Sequence, residues 1–147
     1  MAQTLSCNLH IIFSTKNRLG LIPEDQLNDL HAYIAGTITA LGCHCVRVGG
    51  VVDHVHIALM LPPTKVAAKI VSEVKTSSSK WMKSVGVVHF AWQRGYGLFS
   101  VGPSDRAALI RYIDQQATHH CKRGFEDEMR AFLVKYHVPF DERYVWD

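Results

Sequence analysis

What this sequence has little of narrows it first. No uncharged apolar run approaches the ~20 residues needed to span a bilayer. The opening residues, Met1-Ala2-Gln3-Thr4-Leu5-Ser6-Cys7, lack the basic flank and long apolar stretch of a secretory signal. Cysteine is sparse, and Cys7, Cys43, Cys45 and Cys121 make no convincing disulfide framework, so reduced thiols in a cytoplasm are expected. The chain shows no internal repeat, low-complexity stretch or linker. Residues 1–147 are therefore expected to form one domain, long enough to bury a real core. Excess charge is scarce too: the formal net charge of +3 permits a polyanionic partner without demanding one.

Histidine, by contrast, is abundant, with nine in the chain, and each can bind metal or change charge near neutral pH. Local patterning places them. Runs rich in β-formers and bounded by turn residues predict strands at Asn8 to Ser14, Cys43 to Val48, Val51 to Leu61 and Tyr96 to Val101, with Gly49-Gly50 as a hairpin turn. Helical spacing after Pro23 links Leu27, Leu30, Ile34, Ile38 and Leu41. A second helix, Lys65 to about Lys83, carries the stripe Val66, Ile70 and Val74. Ser104 reads as the N-cap of a third helix running to about His120, and Phe125, Met129, Phe132 and Tyr136 mark a last short one. The order β-α-β-β-α-β is that of the split βαβ, ferredoxin-like pattern. The expected fold is thus α+β, an antiparallel sheet with helices on one face, plus a C-terminal helix carrying Tyr112.

Two segments carry chemistry. In the third strand, side chains two apart share a face. Val51, Asp53, Val55, Ile57, Leu59 and Leu61 should cover the helices, while Val52, His54, His56, Ala58 and Met60 should belong to the open side. Paired imidazoles there can bind a divalent ion and leave positions for a third ligand and a phosphate. They can equally be strand histidines hydrogen-bonded to their neighbours. A further histidine in place of Ala58 would be needed for a histidine-triad hydrolase. On the third helix Tyr112 and Gln116 are neighbours at i and i+4, on the flank of a buried stripe of Leu109, Ile110, Ile113, Ala117 and Cys121. A nucleophile and a ligand could sit there, as could a boundary tyrosine with a wet hydroxyl. Cys43-His44-Cys45 with His120 or Cys121 is a poorer metal candidate, because Cys-x-Cys is tighter than the usual Cys-x₂₋₄-Cys of zinc sites.

Taken together, Asp53-His54-Val55-His56-Ile57, the stretch Gln93-Arg94-Gly95-Tyr96-Gly97-x-Phe99-Ser100-Val101 and Tyr112-Ile113-x-x-Gln116-x-x-His119-His120 resemble the single-tyrosine HUH transposases. These are small transposases of insertion sequences (IS) that move as single-stranded DNA, with the REP-associated tyrosine transposases as close relatives. Phe13-Ser14-Thr15-Lys16-Asn17-Arg18 and Phe140-Asp141-Glu142-Arg143-Tyr144-Val145-Trp146 are similar as well. Gln115 departs from the asparagine often found before the ligand glutamine. The resemblance implies His54, His56 and Gln116 as ligands of Mg²⁺ or Mn²⁺ and Tyr112 as the nucleophile. It also implies a 5′-phosphotyrosine intermediate, hairpin DNA as substrate, and a homodimer whose tyrosine helix docks on the other subunit after a hinge at Gly102-Pro103-Ser104.

DNA contact is expected from Lys16, Arg18, Lys75, Lys80 and Arg94, with Trp81 available to stack on an unpaired base. The competing reading is a ferredoxin-like module that binds single-stranded nucleic acid without chemistry. It leaves the His-x-His and Tyr/Gln spacing unexplained.

Overall fold

The computed structural model describes residues 5–117 and 124–146; His119, His120 and Cys121 fall outside them. Four strands, β1 (Asn8–Ser14), β2 (His44–Val51), β3 (His54–Met60) and β4 (Gly97–Val101), form one sheet in the order β2-β3-β1-β4. Every pairing is antiparallel. Helices α1 (Leu27–Ala40), α2 (Ala67–Ser84), α3 (Arg106–Asp114) and α4 (Phe125–Lys135) accompany them. The element order and sheet order are those of the expected ferredoxin-like fold.

The alternation on β1 and β3 decides which helices cover which face. Leu9, Ile11, Phe13, Val55, Ile57 and Leu59 are buried against Leu30, Ile34 and Ile38 of α1 and Ile70, Val74 and Met82 of α2. Val66, expected in the α2 stripe, caps that helix and is 64% exposed, so the buried stripe begins at Ile70. The opposite face was expected to stay open. It is covered instead, because Ile12 and Phe99 pack with Phe125, Met129 and Leu133 of α4.

Two glycines let these helices close in. Gly49 and Gly50 are not the hairpin turn; they lie within β2, and the chain reverses at Val52–Asp53. A Cβ on Gly49 would stand 2.6 Å from Ile113 Cγ2 and 2.9 Å from the Ile113 carbonyl oxygen. Gly49 is the register partner of His56, so the spot where α3 presses on the sheet adjoins the histidine pair. Gly97 plays the same part for α4, since its Cβ would come 2.5 Å from Met129 Cε.

The third helix starts later and is less buried than its pattern suggests, and its expected end near His120 lies outside the described residues. Pro103–Asp105 form a single 3₁₀ turn, Asp105 rather than Ser104 occupies the N-cap, and α3 stops at Asp114. Only Ile113 of its stripe is buried within α3; Leu109 and Ile110 are half-buried and Ala117 is exposed.

Gly49→Ala should lower stability by about 1–3 kcal/mol, the usual effect of forcing a methyl into a filled contact. Urea denaturation reads this directly, and an unchanged midpoint would show that α3 does not press on β2 in solution.

Candidate active site

The site begins at the β2–β3 turn, which the loop after β1 clamps from outside. The Thr15 N–H donates to the Asp53 carbonyl (2.8 Å) and the Ile22 N–H to the Val52 carbonyl (3.0 Å). Asp53 is thereby fixed in the turn rather than on the apolar face where strand alternation would put it. Its Oδ1 lies 2.7 Å from His54 Nδ1. One strand across, His10 Nε2 lies 2.9 Å from His56 Nδ1. With both Nδ1 atoms occupied, the nitrogens left to face the interior are Nε2 of His54 and Nε2 of His56. Metal-binding histidines are oriented in this way, the other ring nitrogen being engaged by a carboxylate or another acceptor.

Three further side chains meet these nitrogens. Gln116, one helical turn beyond Tyr112, sets Oε1 3.1 Å from His54 Nε2. Glu128 enters from α4, with Oε2 3.0 Å from His54 Nε2 and 3.7 Å from His56 Nε2. The Tyr112 hydroxyl donates to Glu128 Oε1 at 2.5 Å, and its ring stands edge-on to His56 at 5.4 Å between centroids. The sequence-derived set His54, His56, Tyr112 and Gln116 is therefore brought together within one chain. His10, His54 and His56 are wholly buried, while Gln116 and Glu128 are 1% and 2% exposed.

Charge in this enclosure follows from the contacts. Burial works most strongly against a charge on His54, but Asp53 and Glu128 together outweigh it and push its pKa up to about 9. Burial, reinforced by the charge on His54, holds His56 down to about 4. Burial also opposes ionisation of Glu128, yet His54, His56 and Tyr112 keep its carboxyl far below the usual carboxylate range.

The donor set suits a divalent ion. His56 Nε2 and Glu128 Oε2 are buried without a hydrogen bond, and ligand atoms around an ion at roughly 2.1 Å stand about 3.0–3.5 Å apart. Among the described residues, His54, His56 and Glu128 form the one group of His, Cys, Asp or Glu side chains able to hold a metal, with donor atoms within 4.8 Å of one another. Cys43, His44 and Cys45 do not group in this way. Burial lifts the thiol of Cys45 to about 11 and raises that of Cys43.

A cleft of about 340 Å³ between α3 and α4 leads in to His10, Tyr112 and Glu128, with Asp105, Phe132 and Lys135 on its walls. Neither Glu128, His10 nor Lys135 was singled out from sequence. Glu128 had a visible signal: it stands three residues after Phe125 and four before Phe132, an acid inside the helix's own apolar stripe.

The family model described as "Transposase IS200 like" matches residues 3–116, most of the chain and all four expected site residues. The chain belongs to the IS200-like transposase family. A protein of Deinococcus radiodurans R1 assigned as a transposase has the same fold, with a TM-score of 0.63 and 23% identity over 79% of this chain and 95% of that one. A REP-associated tyrosine transposase, solved with a REP hairpin bound, matches with a TM-score of 0.62 and 15% identity over 82% of this chain and 74% of its own. No curated protein sequence matches. This transposase is therefore a DNA-binding enzyme of DNA recombination that cuts and transfers strands. Among its described residues no helix is long and apolar enough to cross a membrane.

The basic residues of this transposase divide by what they touch. Lys16, Lys80 and Arg94 are exposed. Arg18 pairs with Glu126 (2.8 Å) and donates to the Trp146 carbonyl (3.3 Å), tying the β1 exit to the C-terminal segment. Trp81 stacks on Tyr33 at 5.1 Å and packs against the core. Lys75 donates to the carbonyls of Gln93 (3.0 Å), Arg94 (3.2 Å) and Gly95 (2.7 Å) and lies over the rings of Phe13 and Tyr96. Lys75→Ala should accordingly cost about 1–3 kcal/mol, as expected for charged hydrogen bonds, and lower the melting temperature. A wild-type melting curve would show that this strap of carbonyls does not need the ammonium.

Proposed function

We propose that the enzyme cleaves and rejoins single-stranded DNA through a 5′-phosphotyrosine on Tyr112, at a divalent-ion site that includes His54, His56 and Gln116. The observation that carries this reading is the meeting of a tyrosine hydroxyl, two inward-facing imidazole nitrogens and an amide oxygen in one buried pocket at the end of a cleft. Bound Mg²⁺ or Mn²⁺ would supply the positive charge that polarises the scissile phosphate and steadies the departing 3′ oxygen.

The protein's own groups do the positioning. A phenol with an ordinary pKa near ~10 is a weak nucleophile unless assisted. The short hydrogen bond that Tyr112 donates to Glu128 fixes the Tyr112 oxygen beside the histidine pair. In the cleavage step the Tyr112 oxygen–phosphorus bond forms and the phosphorus–O3′ bond breaks. The phenol gives up a proton, and the 3′ oxygen takes one up. The energy of the broken bond is kept in the phosphotyrosine, so attack by a 3′-OH reverses the step and joins strands without a nucleotide cofactor.

Recognition of a DNA hairpin is carried over from the hairpin-bound neighbour, and a homodimer from the family resemblance. Within one chain Tyr112 stands beside the histidine pair, which supports assembly in cis as an alternative to the exchange in trans that the resemblance implies. Lys16, Lys80 and Arg94 are the exposed cations we assign to phosphate contact; replacing any one by alanine should weaken binding and reduce the salt slope by about one charge's worth.

Incubated with a labelled single strand bearing a hairpin and with Mn²⁺, the wild type should give a DNA–protein adduct that survives SDS. Tyr112→Phe should bind the same DNA and give none, and an adduct persisting in that variant would sink the assignment. Chelation of divalent ions should abolish the wild-type adduct while leaving the protein folded.

A further inference from the structure

Glu128 lies beyond the stretch that matches the family, which ends at residue 116, and nothing in the Tyr112/Gln116 motif calls for it. Yet its two oxygens are divided between two tasks. Oε1 accepts the Tyr112 hydroxyl at 2.5 Å and faces the Gln116 amide at 3.4 Å. Oε2 turns the other way, 3.0 Å from His54 Nε2 and 3.7 Å from His56 Nε2. Oε2 has no hydrogen bond of good geometry and neither has His56 Nε2, although both are buried. Oε2 lies closer to His54, yet it stands within 4 Å of both inward-facing nitrogens, and the donor atoms of the three residues lie within 4.8 Å of one another.

We propose that Glu128 is itself a ligand of the divalent ion, its Oε2 joining His54 and His56 while its Oε1 holds the nucleophilic hydroxyl of Tyr112. The inference rests on the reading of His54 and His56 as metal ligands. It changes the character of the site. Two imidazoles and an amide are a neutral set, whereas adding a carboxylate makes the set anionic and raises its affinity for a dication before any DNA phosphate arrives. The same side chain links ion and nucleophile, so the distance between them is fixed by one rigid carboxyl group carried on α4. Phe125 and Phe132, on the same helix, lie 5.2 Å from the His54 ring and 4.9 Å from the His10 ring, and close the site over this carboxylate.

The test is a titration of the full chain with Mn²⁺ alone, without DNA, following the electron paramagnetic resonance signal of free Mn²⁺. Glu128→Gln should weaken Mn²⁺ binding by at least about tenfold, the scale on which metal-site partners act. Asp127→Asn, which removes an exposed carboxylate from the same helix and leaves the pocket untouched, should bind as wild type. Glu128→Asp keeps the charge but shortens the reach, and should bind more weakly than wild type; it carries the test if melting curves show the glutamine variant unfolded. Wild-type or tighter affinity in the folded Glu128 variants would overturn the proposal, because a carboxylate that merely fills the gap competes with the ion. An equal loss in Asp127→Asn would overturn it too, by showing that any negative charge removed from α4 has the same effect. His54→Ala/His56→Ala is the separate control: if it binds Mn²⁺ as wild type, the histidine site itself falls, whereas loss there with no loss in the Glu128 variants sinks only the present inference.

Discussion

A carboxylate that is 2% exposed must be compensated where it stands, because an isolated buried charge costs several kcal/mol. Glu128 meets that constraint through the candidate site residues around it: His54, His56, Tyr112 and Gln116 all turn a polar atom toward it. The arrangement of the second sheet face follows. α4 must dock for Glu128 to reach the histidines, so Ile12 and Phe99 receive Phe125, Met129 and Leu133. α3 must lie close enough for Tyr112 to bond the same carboxylate, so β2 carries Gly49 where Ile113 comes down. Arg18 then ties α4 to the exit of β1 through Glu126.

The physics of the two sheet faces explains what could be read in advance. The face toward α1 and α2 is a matter of apolar alternation against apolar stripes, and Leu30, Ile34, Ile38, Val55, Ile57 and Leu59 announced themselves by spacing alone. The other face mixes polar and apolar residues, which sequence patterning equates with exposure. His10, His54 and His56 are buried there not because they are apolar but because each finds a partner, and pairing across strands or helices has no local signature. The two-residue spacing of His54 and His56 and the four-residue spacing of Tyr112 and Gln116 were visible because each is contained in one element. Glu128 comes from another helix, and its link to them is a contact of the fold.

The glycines show the same division. Gly49-Gly50 has the composition of a turn, and local chemistry has no means of knowing that a helix needs the room. The turn that forms instead, Val52–Asp53, is stabilised from a distance by Thr15 and Ile22. Asp53 gains its role from that displacement, because a turn carboxylate can fold back onto His54 whereas one in the strand would point to the core. Lys75 is a parallel case: a cation on a helix reads as solvated, but three carbonyls of the segment before β4 converge on it.

The order in which the parts occur along the chain has a consequence for synthesis. The sheet is complete once Val101 has emerged, and with α1 and α2 already present one whole core can form on the ribosome. The tyrosine follows with α3, and the carboxylate only with α4. A chain that has emerged only as far as β4 therefore has the scaffold and the histidine pair but neither Tyr112 nor Glu128. On the proposed chemistry, the groups that act on DNA are supplied last, by the segments that follow the sheet.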